Sequence, residues 1–269
     1  MKKLIFGYGA TGKSVESYLQ KNKIEYLIHD DKNLDIENHL IFNKEKFNEI
    51  DEVIISPGIK PSHPMLNEIN SQGLTINTDI DLFNKVYKGK IIGVTGTNGK
   101  TTFVNLLTDY LNSHQIKTIA VGNVGKSPLE IIGEDYEYVV IELSSFQLYY
   151  LNNLNLFKAI ILNIFEDHLD WHSDFEDYSN SKFKILKFVP ENKNTSLNES
   201  GTIYPENNCK ELLFKSAGIL DIVSKLSLHE ETVYALLKTV GDLGLTNDSF
   251  AEFLLNYKTE AHRFELVDK

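Results

Sequence analysis

Two glycine-rich stretches and one crowded acidic stretch hold the residues whose types and spacing bear on chemistry. The first is Gly7-Tyr8-Gly9-Ala10-Thr11-Gly12, a G-x-G-x-x-G run after the apolar segment Lys2–Phe6, with the acidic pair Asp30-Asp31 about 20 residues further on. Glycines at that spacing permit a tight strand-to-helix turn, and the free N–H groups opening the next helix favour a phosphate. The pattern leaves three readings open: NAD(P), another phosphorylated or nucleotide-bearing ligand, or a bare turn. The second stretch is Gly96-Thr97-Asn98-Gly99-Lys100-Thr101-Thr102. Strict P-loop spacing asks for glycine where Val94 stands, and Gly93 comes one residue too early. The logic is still a P-loop's, with backbone N–H groups for phosphate oxygens, Lys100 for β/γ charge and the Thr101 hydroxyl for Mg2+. A nucleoside triphosphate is the expected ligand.

Downstream, Tyr138-Val-Val-Ile-Glu142 is an apolar run ending in a carboxylate, where a P-loop protein places its Mg2+ acid. A strand-end Glu that caps a helix or faces solvent fits the same pattern. The third stretch gathers Asn163, Glu166, Asp167, His168 and Asp170 at a strand exit, ahead of Trp171 and His172. Open α/β sheets bind ligands at such strand ends, although a lone His there also suits a surface loop. No zinc site is expected. On pattern alone, Lys182 and Lys184 read as a solvated helix face.

The elements that must position these residues alternate between strand-like and helix-like segments, which predicts an α/β fold. Strands are expected at Lys2–Phe6, Ile24–His29, Val53–Ile55 and Leu74–Asn77. Between and after them fall a helical segment carrying Val15, Tyr18 and Leu19 and helices at Pro64–Gln72 and Asp79–Tyr87. Near Lys88 the pattern restarts, with strands at Ile91–Thr95, Ile116–Val121, Tyr138–Glu142 and Lys158–Ile164 and helices at Thr102–Ser113 and Phe175–Phe188. Polar Glu191–Asn208 reads as loop with one short strand, and helices at Glu230–Val240 and Ser249–Asn256 follow. The expected division is residues 1–88, residues 89–258, and a linker over 259–269.

Composition bounds the function. The chain has 269 residues, 42% of them hydrophobic, which suits two ordinary domains rather than a disordered chain. Its net charge of -11 argues against a nucleic-acid partner. One cysteine, Cys209, excludes an internal disulfide framework, and no apolar run approaches a membrane span, so a cytoplasmic protein is expected. Among the 27 basic residues there is a single arginine, Arg263, where a planar bidentate donor would be hardest to replace.

Taken together, seven motifs resemble the Mur ligase superfamily, over nearly the whole chain and in the family's order. Gly93-Val-Thr-Gly-Thr-Asn-Gly-Lys-Thr-Thr102 resembles its ATP loop. Glu142-Leu-Ser-Ser-Phe-Gln-Leu148, Ser56-Pro-Gly-Ile59 and Val121-Gly-Asn-Val-Gly125 are similar to the branch that joins D-glutamate to UDP-N-acetylmuramoyl-L-alanine. So are Asn163-Ile-Phe-Glu-Asp-His-Leu-Asp170, Tyr178-Ser-Asn-Ser-Lys182 and Ala261-His-Arg-Phe-Glu265. The resemblance implies a Rossmann-like first domain, a P-loop ATPase-type second domain, and a cytoplasmic monomer. ATP would phosphorylate the substrate carboxylate to an acyl phosphate, which the D-glutamate amine then attacks. Gly96 to Thr102 would hold ATP, with Lys100 on the β/γ-phosphates. Thr101 and Glu142 would take one Mg2+, and His168 with a carbamylated Lys182 the second. Arg263 would reach the γ-phosphate.

The same resemblance reassigns the first glycine turn from a dinucleotide to the UDP end of the substrate. Ala10, Thr11, Asp30, Asp31, Lys32, Ser56 and Gly58 would line that cleft, and Asn123 and Ser144 would face the substrate from the second domain. Two departures stand out. His229-Glu230-Glu231-Thr232-Val233 lacks both asparagines of the family's adenine-side segment, and Glu191–Asn208 is short for the family's central sheet. The family also carries a third domain that binds the incoming amino acid, whereas this chain stops at Lys269. The expectation is therefore a truncated form with little or no activity. The alternatives are another superfamily member, such as a folylpolyglutamate synthase, or a non-catalytic nucleotide-binding module.

Overall fold

The computed structural model describes residues 1–32, 35–123, 125–190, 202–203 and 229–257. Arg263, Cys209, the 259–269 linker and most of Glu191–Asn208 lie outside the described residues, so those expectations are not addressed by it. Among the described residues the chain forms two all-parallel sheets flanked by helices, the expected α/β architecture.

The first sheet has the order β2-β1-β3-β4, from β1 (Lys2–Phe6), β2 (Tyr26–His29), β3 (Ile50–Ile55) and β4 (Thr75–Asn77). Helices α1 (Ala10–Lys21), α2 (Pro64–Ser71) and α3 (Asp79–Val86) connect and cover it. The chain leaves β1 towards β2 and returns on β1's other side as β3. That reversal opens a crevice at the carboxyl ends of β1 and β3. The turn there is tight: a Cβ built on Gly12 would lie 2.2 Å from the Gly7 carbonyl oxygen. Only glycine lets α1 start so close to β1. Gly12→Ala should lower unfolding free energy by about 2 kcal/mol, because backbone rather than a pliable side chain must yield; urea denaturation measures this.

The second sheet has the order β6-β7-β5-β8-β9. Its strands are β5 (Lys90–Thr95), β6 (Thr118–Gly122), β7 (Tyr138–Glu142), β8 (Lys158–Ile161) and the two-residue β9 (Thr202–Ile203). Helices α4 (Lys100–Ser113), α5 (Ser145–Tyr150), α6 (Phe175–Phe183), α7 (Glu230–Asp242) and α8 (Asn247–Asn256) belong to this unit. β8 is shorter than expected, since Leu162 to Ile164 leave the sheet to reach the glycine loop after β5. The expected single helix Phe175–Phe188 breaks into α6 and a 3-10 turn, Lys184–Phe188. The six-residue α5 was not foreseen. It is held by a capping box in which Ser144 and Gln147 satisfy each other's backbone N–H groups.

One of three apolar clusters among the described residues spans both units. It runs from Ile5, Ile28, Ile54 and Phe83 to Leu129, Ile141, Leu148 and Ile161. Polar groups reinforce it. Buried Asp81 on α3 accepts from the N–H groups of Asn152 and Asn153 at 3.1 and 2.7 Å, and Asn84 accepts from the N–H of Asn155 at 2.9 Å. Among the described residues no helix is long and apolar enough to cross a membrane.

Candidate functional site

The second glycine loop sits where parallel-sheet geometry puts ligands, between β5 and α4. Register places Val94 of β5 opposite Glu142 of β7, and Thr95 opposite Ile161 of β8, so both neighbouring strands end level with the loop. Gly99 caps α4 with φ +80°, and a Cβ there would lie 2.3 Å from the Thr232 Oγ1 of α7. Position 99 therefore requires glycine on both conformational and steric grounds.

Lys100 turns its ammonium back onto the loop, donating to the Gly96 and Thr97 carbonyls at 2.8 and 2.7 Å. Burial pulls its pKa below the ordinary lysine range, against the pull of Glu142 and Asp167. Glu142 is 1% exposed and accepts from the Thr101 hydroxyl at 3.0 Å and from the Asn123 amide at 3.0 Å. It neither caps a helix nor faces solvent. Thr101, Glu142 and Asn123 thus form one chain of oxygen and amide groups beside Lys100.

Lys182 overturns the reading as a solvated face. It is 2% exposed, and its ammonium donates to the Gly96 carbonyl at 2.7 Å, the same oxygen that Lys100 uses. The Tyr178 ring lies 4.7 Å from that nitrogen. Burial and the nearby Lys100 charge pull Lys182 down to about 7, with Asp167 and Glu142 opposing. Lys184, in contrast, is half-buried and donates to the Tyr149 carbonyl at 2.8 Å.

His168 is half-exposed and sits at φ +53°, in the left-handed region that is rare for residues with a side chain. Its carbonyl holds that conformation by accepting from the N–H groups of Trp171 and His172, each at 3.0 Å. Its ring packs 4.9 Å from that of Phe146. Among the described residues no group of three or more His, Cys, Asp or Glu is arranged to hold a metal ion. The expected metal residues thus separate into the joined pair Thr101–Glu142, the buried amine of Lys182 and the more exposed His168.

Several structural partners were missing from the expected site residues. Asn163 accepts from the Thr97 and Asn98 N–H groups at 3.1 and 2.9 Å, bracing the loop. The Thr97 hydroxyl has one hydrogen, which it gives to the Phe165 carbonyl at 3.2 Å, so the Tyr178 hydroxyl donates to Thr97 at 2.8 Å. That bond ties the glycine loop to the helix carrying Lys182. The strand-exit cluster signalled Asn163 and Asp167, whereas Tyr178 carried no signal apart from the motif.

The other expected residues gather at the first crevice. Gly7, Ala10, Thr11, Asp30, Asp31, Lys32, Ser56 and Gly58 line one cleft of about 420 Å³. Gly9 caps α1 without a side-chain bond, leaving the first-turn N–H groups open to an anion. Asn123 and Ser144 are not part of this cleft. Ser144 is occupied in the α5 capping box, and Asn123 bonds Glu142. The two sites are nonetheless linked. The Tyr150 hydroxyl donates to the Ile59 carbonyl at 2.8 Å, and Lys60 donates to the Asp170 carbonyl at 2.6 Å, joining the cleft's rim to the His168 loop.

A parallel first sheet with an open cleft at its strand ends, joined to a second parallel sheet with a P-loop-like turn, defines a class of two-unit α/β proteins. Comparison with known proteins narrows it. The Mur ligase middle domain model matches residues 94–216, and the MurD-like N-terminal domain model matches residues 1–78. UDP-N-acetylmuramoylalanine--D-glutamate ligase of Chlamydia pneumoniae is 34% identical over 99% of this chain and 67% of its own length. The protein of that name from Thermotoga petrophila is 37% identical over 66% of this chain and 44% of its own length. The structure of the MPL ligase from Neisseria meningitides shares the fold at TM-score 0.56 and 15% identity, covering 96% of this chain and 98% of that one. The chain belongs to the Mur ligase family, with a MurD-like N-terminal domain. It spans between 44% and 67% of the length of the two ligases compared by sequence.

Proposed function

We propose that this chain supplies the UDP-substrate and ATP sites of a cytoplasmic, monomeric ligase that joins D-glutamate to UDP-N-acetylmuramoyl-L-alanine, a step in building peptidoglycan precursors. The observation that carries the reading is the link between the clefts. A substrate anchored by its UDP end between Ala10, Thr11 and Ser56 to Gly58 would extend along the Ile59–Tyr150 and Lys60–Asp170 bridges toward the glycine loop. The substrate carboxylate oxygen would attack the γ-phosphorus of ATP as ADP leaves. The D-glutamate amine would then displace inorganic phosphate from the acyl carbon.

In this reading Gly96 to Thr102 cradle the phosphates, and Lys100 exchanges its two loop carbonyls for β/γ oxygens. Asn123 and Ser144 lie on the path of the substrate. Thr101 and Glu142 suit a hard cation, being adjacent oxygen donors with a buried carboxylate. Mg2+ held there would neutralise phosphate charge during transfer. A second ion fits His168 and Lys182 only once Lys182 loses its positive charge. An amine near pH 7 in pKa is substantially neutral at neutral pH, so its lone pair can attack CO2, forming an N–C bond and releasing a proton. The resulting carbamate would replace a repelled cation with an anion beside Lys100. Arg263, outside the described residues, is assigned the γ-phosphate.

The activity test is phosphate release from ATP that depends on both UDP-N-acetylmuramoyl-L-alanine and D-glutamate. Dependence on a different amino acid would contradict the assignment. Lys100→Met should weaken ATP binding by about 30-fold, the loss of one charge-assisted phosphate contact. Fluorescent-nucleotide titration reads this directly.

A further inference from the structure

His172 is a buried histidine to which the proposed chemistry gives no task. Its side chain is fully enclosed and out of reach of a ligand, yet the residue is bonded through both its backbone and its ring. Its N–H donates to the His168 carbonyl at 3.0 Å, closing the turn that keeps His168 at φ +53°. Its Nδ1 lies 2.9 Å from Oδ2 of Asp177, in the first turn of α6. A carboxylate can only accept, so Nδ1 carries the hydrogen and donates it. One residue thus fastens the loop of His168 to the helix of Lys182.

Both anchors are themselves held. Asp177 gives its N–H to the capping Asp174 at 2.8 Å, and its carboxylate sits at a helix N-terminus, where negative charge is favoured. The His172 ring packs among those of Trp171, Tyr178 and Phe146, with centroids 4.6, 5.3 and 5.7 Å away. Tyr178 stands one turn before Lys182 and holds that ammonium 4.7 Å from its ring. Phe146 lies 4.9 Å from the His168 ring. His172 is therefore the shared neighbour of the two rings that flank Lys182 and His168.

We infer that His172, through Asp177, is a positioning residue that sets His168 against Lys182 and so completes the second cation site. The inference rests on the reading of His168 and a carbamylated Lys182 as that site. Neither side chain is placed by its own element alone. His168 stands in a loop in a strained conformation, which persists only where its surroundings over-determine it. Helix α6 has nine residues and ends one residue after Lys182. The His172–Asp177 bond crosses between the two. When the Lys182 nitrogen attacks CO2, it forms an N–C bond and releases a proton. A divalent cation shared with His168 would hold the product only if the two side chains keep their separation.

The test is carbon-13 NMR of the 269-residue chain in labelled bicarbonate at neutral pH, following the carbamate signal that Lys182→Met removes. Mg2+ should strengthen this signal in the wild type. His172→Ala and Asp177→Ala should each raise the Mg2+ concentration for half the effect about tenfold, the scale of losing an outer-shell partner at a metal site. An asparagine amide overlies Nδ1 of histidine, whereas a glutamine amide overlies Nε2. At comparable melting temperatures, His172→Asn should therefore restore the midpoint close to the wild type and His172→Gln should not, a difference that packing alone would not produce. An unshifted midpoint in the alanine variants, or equal midpoints for Asn and Gln, overturns the inference and leaves the cation site standing. A wild-type signal indifferent to Mg2+, with and without ADP, overturns the second-cation reading and the inference with it.

Discussion

Asp81→Ala is expected to destabilise the chain by about 4 kcal/mol. Asp81 is 2% exposed, and its carboxylate serves four donors. One oxygen accepts from the Thr78 N–H and hydroxyl, each at 2.8 Å, closing the capping box of α3. The other accepts from the N–H groups of Asn152 and Asn153 in the second unit. Truncation leaves these donors without their acceptor, and each buried orphan costs about 1–3 kcal/mol before relaxation and water entry reduce the sum. Asp81→Asn should be nearly as damaging, because its amide would turn a donor toward donors. Urea unfolding followed by circular dichroism and by Trp171 fluorescence measures it. Coincident transitions are expected, since one apolar cluster spans both units.

Lys182→Met is expected to separate stability from catalysis. The unfolded lysine titrates near 10.5, and the folded one at about 7, because burial and Lys100 disfavour its charge. Between those values the unfolded state binds more protons, so stability rises with pH across this window and is lowest below about pH 7. Methionine removes the buried charge. In CO2-free buffer the variant should be more stable than wild type by on the order of 3 kcal/mol at pH 6.5, with the gap closing toward pH 10. Phosphoryl transfer should fall about 10³-fold, the scale of losing a preorganised charged group at the reacting phosphate. Chemical denaturation at stepped pH and phosphate-release kinetics give the two readings. A variant less stable than wild type at pH 6.5 would contradict the assigned burial of the charge.

What the residues disclosed in advance, and what they concealed, follows from how each is positioned. The glycine loop and Glu142 were legible because register alone sets them. A strand ending in Thr95 beside one ending in Glu142 leaves little freedom in where their ends meet. Lys182 was misleading by pattern because α6 inverts the usual amphipathic rule. Phe175 and Phe183 are exposed, while Tyr178, Ser181 and Lys182 face inward. Periodicity reads apolar residues as the buried face, so it pointed the wrong way there, and only the motif marked the lysine. The same inversion hid the break at Phe183, since an apolar 3-10 turn continues the helical spacing. Helix α5 was hidden by its length, six residues stabilised by a cap rather than by a stripe. In the first cleft the pair Asp30-Asp31 was legible as chemistry. Its division into Asp30, which staples the glycine turn, and Asp31, which the histidines hold at the cleft, depends on Tyr8 and His63, 22 and 32 residues away in sequence from their respective partners.

If the two linked clefts hold the two ends of one reaction, isothermal titration of the chain with UDP-N-acetylmuramoyl-L-alanine reads it directly. Saturable 1:1 binding, competed by UDP and abolished by a bulky substitution such as Gly58→Trp in the first cleft, is the expected result. No heat of binding at millimolar ligand, from a chain that is folded and still binds ATP, would contradict it.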